Sequence, residues 1–267
     1  MVTRLSMQGR TAWLKSYGGG SRRLRLRALE LTARRLGVPA LRPPPHRVGA
    51  GARETEQRRL LELAACEVRV PSILGEGDTY LLLSDIGETL SARLRRSSPD
   101  QAYALVHRAA RTLADAHARG GYIGQPLARN LTIDEHGRIG FIDFEEDPGE
   151  VMSVQQAQIR DWLIFAAGTS RYFRDPDREL SAIIAESLRG EAEEVRRGLG
   201  DAADRLGFVE SVAGWFGRRA RGLGGAVQAL RRAAWVWALV AVLIGLGVDF
   251  APDRELDSVK QMAELID

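Results

Sequence analysis

Cysteine is nearly absent from this chain of 267 residues. Cys66 stands alone, which excludes an internal disulfide framework and any C-x-x-C motif, and points to a reducing, cytoplasmic setting for the bulk of the chain. Lysine is scarce too. Of 38 basic residues only Lys15 and Lys260 are lysines. The rest are arginines, and with abundant Ala, Leu and Gly this fits a GC-rich coding bias. Arginine clusters are then weak evidence for nucleic-acid binding, and nucleic acid is not expected as a partner. The histidines His46, His107, His117 and His136 are scattered without metal-ligand spacing. Neither G-x-S-x-G nor G-x-x-x-x-G-K-S/T occurs. The opening MVTRLSMQGR has no apolar stretch behind its charge, so secretion by a signal peptide is not expected.

What is present suffices for a core: 45% of the residues are apolar. In a chain that almost always uses guanidinium, the ammonium of Lys15 inside TAWLK answers a need for a compact point charge. The plainer reading is a strand lysine with its stem packed down.

Residues 11–16 alternate as a strand, ended by the glycines at 18–20. The basic segment that follows reads mostly as a helix stopped by Gly37 and Pro39. LRPPPHRVGAGA is then a connection rather than an element. Arg53 to Ala65 predicts a helix with a polar face bearing Glu54, Glu56 and Arg58 and apolar Leu60, Leu61 and Leu63. Two strands, VRVPSIL and TYLLLSDI, are joined by a turn over Gly75-Glu76-Gly77-Asp78, and Asp85-Ile86-Gly87 breaks that sheet edge. Ser98, Pro99 and Gln101 form a capping-box signature for a helix to about Arg119, ended by Gly120-Gly121. A hairpin turning at Glu135-His136-Gly137 follows, then a helix over Gln155–Ala167, then helical pieces from 175 to 230 divided near Gly200, Gly207 and Gly222. The order, strands first and then helices with one hairpin, is a two-lobed α+β pattern.

The ordered set Lys15, Glu56, Asp85-Ile86-Gly87, Asn130 and Asp143-Phe144-Glu145 resembles a protein-kinase-like phosphotransferase, nearest the small bacterial lipopolysaccharide (Kdo/heptose) kinases and RIO-like kinases. The likeness covers roughly residues 11–167. In protein kinases H-R-D-x-x-x-x-N precedes D-F-G, with the two Asp about eighteen residues apart. Here Gln125 to Asn130 is five residues and Gln125 to Asp143 is eighteen.

The resemblance implies a two-lobed kinase-like fold: a reduced strand-rich N-terminal lobe over 1–88, a helical C-terminal lobe over 89–230, and an apolar helix with an amphipathic tail over 231–267. It implies that ATP and Mg²⁺ are bound, because phosphoryl transfer is mainly positioning and electrostatics. Asp143 and Asn130 would ligate the metal, and Lys15, paired with Glu56, would hold the α/β-phosphates. Asp85 and Gly87 would lie at the adenine-facing connection, and Asp161 would brace the catalytic loop. The acceptor would be a hydroxyl of a protein Ser/Thr or of a lipid-linked sugar.

Two departures bear on catalysis. Gln125 stands where the family has the Asp that positions, and takes the proton of, the acceptor hydroxyl, and Ile123 replaces the usual His. An amide cannot take a proton, so the alternatives are a slow enzyme, another carboxylate such as Glu145 or Glu146, or a pseudokinase with a regulatory, nucleotide-binding role. The second departure is the phosphate-covering loop: only Gly9 precedes Lys15, and Gly18 to Gly20 follow it as a flexible turn.

Near the C-terminus, Ala233 to Val248 is sixteen residues without a polar side chain. A spanning helix needs about 20. Arg231 and Arg232 precede the run, Asp249 and Asp253 follow it, and Trp235 and Trp237 sit at its basic end. A membrane span, an interfacial anchor and a buried helix all fit this pattern. The first two attach the chain to the cytoplasmic face of the inner membrane.

Overall fold

The computed structural model describes residues 1–7, 9–18 and 38–213. The helix expected after Gly20, the break near Gly222, the apolar run 233–248 and the amphipathic tail lie outside them. Among the described residues no helix is long and apolar enough to cross a membrane.

The chain is α+β. Val2–Met7 (β1) and Arg10–Ser16 (β2) form an antiparallel hairpin, with Gly9 at φ 75° in its turn. Ile73–Gly77 (β3) and Tyr80–Ser84 (β4) complete a four-stranded antiparallel sheet in the order β1-β2-β4-β3. β1 is a strand that the sequence reading lacks; it escapes the alternation test because it is an edge strand with no buried residue and so little polar-apolar contrast. Lys15 lies in the second strand of this hairpin, paired on both sides, opposite Val2 and Leu81, and Gly9 is the one glycine ahead of it, as expected. The turn between β3 and β4 also falls later than expected. Gly75 to Gly77 lie in β3, past a register irregularity between Ile73 and Gly75, and Asp78-Thr79 make the turn. Residues 68–72 are no strand; Arg69 instead lends its carbonyl to Phe141 N at 2.9 Å.

The first described helix, Ala50–Ala65 (α1), buries Ala52, Thr55, Glu56, Arg59, Leu60 and Leu63, a single helical face. Glu56 is 1% exposed and Leu61 60%, the reverse of the amphipathic reading. Two charged side chains are drawn inward because partners wait for them: Arg59 donates to Tyr122 O at 2.6 Å and Glu62 Oε2 at 2.7 Å, and the partners of Glu56 are described below.

A two-residue strand, Glu88–Thr89 (β5), pairs with Leu131–Ile133 (β6), which pairs with Ile139–Phe141 (β7). Thr89 caps a short helix, Leu90–Arg95 (α2), which the sequence reading passes over. Pro99–Ala118 (α3) starts with the expected capping box: Gln101 N donates to Ser98 Oγ at 3.3 Å and Ser98 N to Gln101 Oε1 at 3.0 Å. Ala102, Val106, Ala109, Ala110, Leu113 and Ala116 form its buried stripe. The β6–β7 turn is organised by Asp134, whose carboxylate accepts from His136 N and Arg138 N.

Val154–Thr169 (α4) opens with a second capping box, Ser153 and Gln156, and is buried almost all round, with Trp162 and Phe165 wholly inside. Pro176–Ser187 (α5) and Glu193–Ala213 (α6) follow. The break between them falls at the 3-10 turn Leu188–Gly190, whereas Gly200 and Gly207 lie inside α6, against expectation. Glycine there costs helix propensity but does not end the helix while tertiary contacts hold it. Gly198 of α6 lies so close to Ile159 of α4 that a Cβ would collide with it. One apolar cluster runs from Tyr17 and Leu81 of the sheet region through α3 to Leu199 of α6.

Candidate functional site

Alternation along β2 turns Lys15 and, two residues on, Tyr17 inward. The buried face of α1 brings Glu56 to meet them. From the other side comes the β6–β7 hairpin. Asn130 immediately precedes β6, Ile142 immediately follows β7, and Ile142 N donates to Asn130 O at 2.9 Å. The amide and the carboxylate thirteen residues on are therefore placed at one end of the hairpin. Asp143 has φ 73°, a left-handed conformation that Asp tolerates better than most residues and that marks a constrained position.

These segments converge on one nitrogen. Lys15 Nζ lies 2.7 Å from Glu56 Oε2, 2.7 Å from Asp143 Oδ1 and 3.0 Å from Glu145 Oε1. Tyr17 OH donates to Glu56 Oε2 at 2.7 Å. Glu56, rather than Glu54 or Glu62, is the glutamate that reaches the lysine. Burial alone would lower the pKa of Lys15, but Asp143, then Glu56 and Glu145, raise it well above the ordinary value. For Glu56 burial prevails over the pull of Lys15, and its pKa is raised. Burial, with Glu56 beside it, also pushes the Tyr17 phenol far up, so it remains a donor. Oxygens of Glu56, Asp143 and Glu145 lie within 4.8 Å of one another. One ammonium against three carboxylates leaves a formal charge of −2, which suits a divalent cation with hard oxygen ligands.

The loop before β6 is braced from below. Asp161 of α4, wholly buried, accepts from Gly124 N at 2.7 Å and from Ile123 N, and contacts His117 Nε2 at 3.2 Å. His117 Nδ1 in turn meets Glu191 Oε1 at 2.7 Å, where Trp162 Nε1 also donates. His117 is thus a member of a buried network away from Lys15, in keeping with a packing role.

Asn130 is buried; its Nδ2 donates to Gln125 O at 3.1 Å, so the amide oxygen is what it has to offer a cation. Gln125 Nε2 donates to Glu146 Oε2 at 2.7 Å. Burial raises the pKa of Glu146, against the opposing charge of buried Arg160. His46 Nδ1 stands 3.3 Å from Glu146 Oε1.

Asp85 and Gly87 are not drawn into the Lys15 cluster. Asp85 is exposed, and its Oδ1 accepts from Trp13 Nε1 at 3.1 Å and Gly87 N at 3.2 Å, a local turn that ends β4. Gly87, at φ 116°, has no room for a Cβ against the Ile133 carbonyl, so its backbone accounts for the glycine.

Tyr17, as the Glu56 partner, and His46, as the Glu146 partner, are members that the sequence reading missed. For Tyr17 the signal was its place two residues beyond Lys15 on an inward-facing row; for His46 there was none, because it sits in what reads as a linker.

Compared with known proteins, the chain matches no protein-family model, and no curated protein matches it.

Proposed function

We propose that this chain is an ATP-dependent phosphotransferase with a two-lobed, protein-kinase-like architecture, the strand-rich part and the helical part enclosing the nucleotide. The carrying observation is the convergence of Lys15, Glu56 and Asp143, from a strand, a helix and a hairpin, at 2.7 Å contacts. A strand lysine paired with a helix glutamate and facing a metal-binding aspartate is the charge arrangement that kinases assemble around Mg-ATP. In this reading Glu56 holds Lys15 in place and Lys15 holds the α/β-phosphates. Asp143 and the amide oxygen of Asn130 hold Mg²⁺; when bound, the metal neutralises charge building on the transferred phosphoryl group. Asp161 fixes the loop of Gln125 through its backbone. The acceptor is a hydroxyl, of a protein Ser/Thr or a lipid-linked sugar, and the apolar run 233–248 would bring the protein to the cytoplasmic membrane face.

A second reading, a nucleotide-binding pseudokinase that regulates a partner, is favoured by one observation: the Gln125 amide points its nitrogen at Glu146 and has no basic atom for a hydroxyl proton.

Calorimetric titration of the detergent-solubilised full chain with a non-hydrolysable ATP analogue tests the site. Binding is expected to need Mg²⁺ and to be lost in Asp143→Ala. Absence of binding in the wild-type chain overturns both readings.

A further inference from the structure

The stretch Leu41 to Ala52 reads as a linker, yet the chain is clamped on both sides of His46. Upstream, buried Arg160 of α4 donates to Ala40 O at 3.3 Å and Arg42 O at 3.4 Å, while Arg42 Nη1 donates to Val151 O at 3.2 Å. Downstream, Arg47 makes a two-pronged pair with Glu150, at 2.5 and 2.7 Å. Three consecutive prolines, Pro43 to Pro45, stiffen the span between the clamps. The imidazole is thereby delivered, across 100 residues of sequence, to a carboxylate that also holds Gln125.

We propose that His46 is the general base of the phosphoryl transfer, with Glu146 as its positioning residue, in place of the aspartate that Gln125 replaces. This rests on the phosphotransferase reading. A hydrogen on Nδ1, donated to Glu146 Oε1, leaves the lone pair on Nε2 to receive a proton, the division of labour by which a carboxylate orients a catalytic histidine. In the step, the acceptor oxygen forms a bond to the γ-phosphorus as the bond from that phosphorus to the β,γ-bridging oxygen breaks, and its electron pair leaves with ADP. The hydroxyl proton passes to His46 Nε2, and Glu146 stabilises the imidazolium. Glu146 itself faces Arg160 from α4 and Asp143 from the hairpin end. The arginines of the connector are turned to Val151 and Glu150.

The test uses water as the acceptor: phosphate release from Mg-ATP by the full chain, with analogue binding measured alongside. His46→Ala is expected to lower kcat by ~10² to 10⁴ while leaving the analogue Kd within about twofold, and added imidazole to restore part of the rate. Glu146→Gln is expected to lose rate without imidazole rescue. Should His46→Ala fail to fold, His46→Gln is read in its place. A His46 variant that keeps the wild-type kcat, or loses it with binding intact and no rescue, overturns this proposal alone. Wild-type chain that binds Mg-nucleotide without turnover overturns it in favour of the pseudokinase reading. Wild-type chain that binds none removes the phosphotransferase reading as well.

Discussion

Replacing Lys15 by Met keeps the length of the stem and deletes only the charge, so the response isolates the ion-pair hub. Removing one partner of a buried pair costs about 3–5 kcal/mol when the other stays buried and charged. Asp143 and Glu145 have side chains 42% and 39% exposed and can rehydrate. The cost therefore falls on Glu56, which among the described residues keeps the Tyr17 hydroxyl as its side-chain partner. We expect a loss of ~3 kcal/mol at about pH 8. Glu56 evades part of it by taking up a proton, since burial already raises its pKa and loss of Lys15 raises it further. A carboxyl whose folded pKa lies above its unfolded one binds more protons when folded. Stability then declines as pH rises from the ordinary glutamate range through the raised folded value, by up to about 1.4 kcal/mol per pH unit. Urea denaturation of both proteins at about pH 5.5 and about pH 8 should show the larger deficit at the higher pH. A deficit below about 1 kcal/mol at pH 8, or one that grows toward acid, would refute the reasoning.

His117 gives a pH dependence of its own. Burial opposes its charge, but bonds to Asp161 and Glu191 prevail and raise its pKa from 6.5 to about 9. The stabilisation is fully present below the ordinary imidazole value and is lost as pH climbs from 6.5 through about 9; thermal denaturation should show that alkaline decline, and His117→Gln should flatten it. Gly87→Ala places a Cβ at φ 116° against the Ile133 carbonyl. A loss of about 1–3 kcal/mol is expected, read as a lowered Tm; an unchanged Tm would mean that the β4–β5 connection shifts freely.

Features that depend on residues a few positions apart were legible in the local pattern. The Ser98–Gln101 box starts α3 where expected, because cap, proline and glutamine act within one turn. The β6–β7 hairpin follows from two apolar runs around a turn, and it fixes Asn130 and Asp143 at a common end. The rarity of lysine singled out Lys15 before any contact was visible. Apart from the Lys15–Glu56 pair and the Asp161 brace that the kinase resemblance implies, tertiary structure decided which groups become partners across long separations. Amphipathic spacing sent Glu56 to solvent and Leu61 inward; the structure reverses both, because an ammonium and a phenol from β2 satisfy the carboxylate that burial would otherwise penalise. Gly200 stays helical because α6 is packed, not free. His46 reaches Glu146 through arginine clamps that no local pattern encodes, and the Gln125 amide meets the same carboxylate only once the hairpin and the loop are folded together. Short-range hydrogen bonding writes itself into neighbouring residues, whereas desolvation and charge pairing are settled by whatever the fold brings alongside.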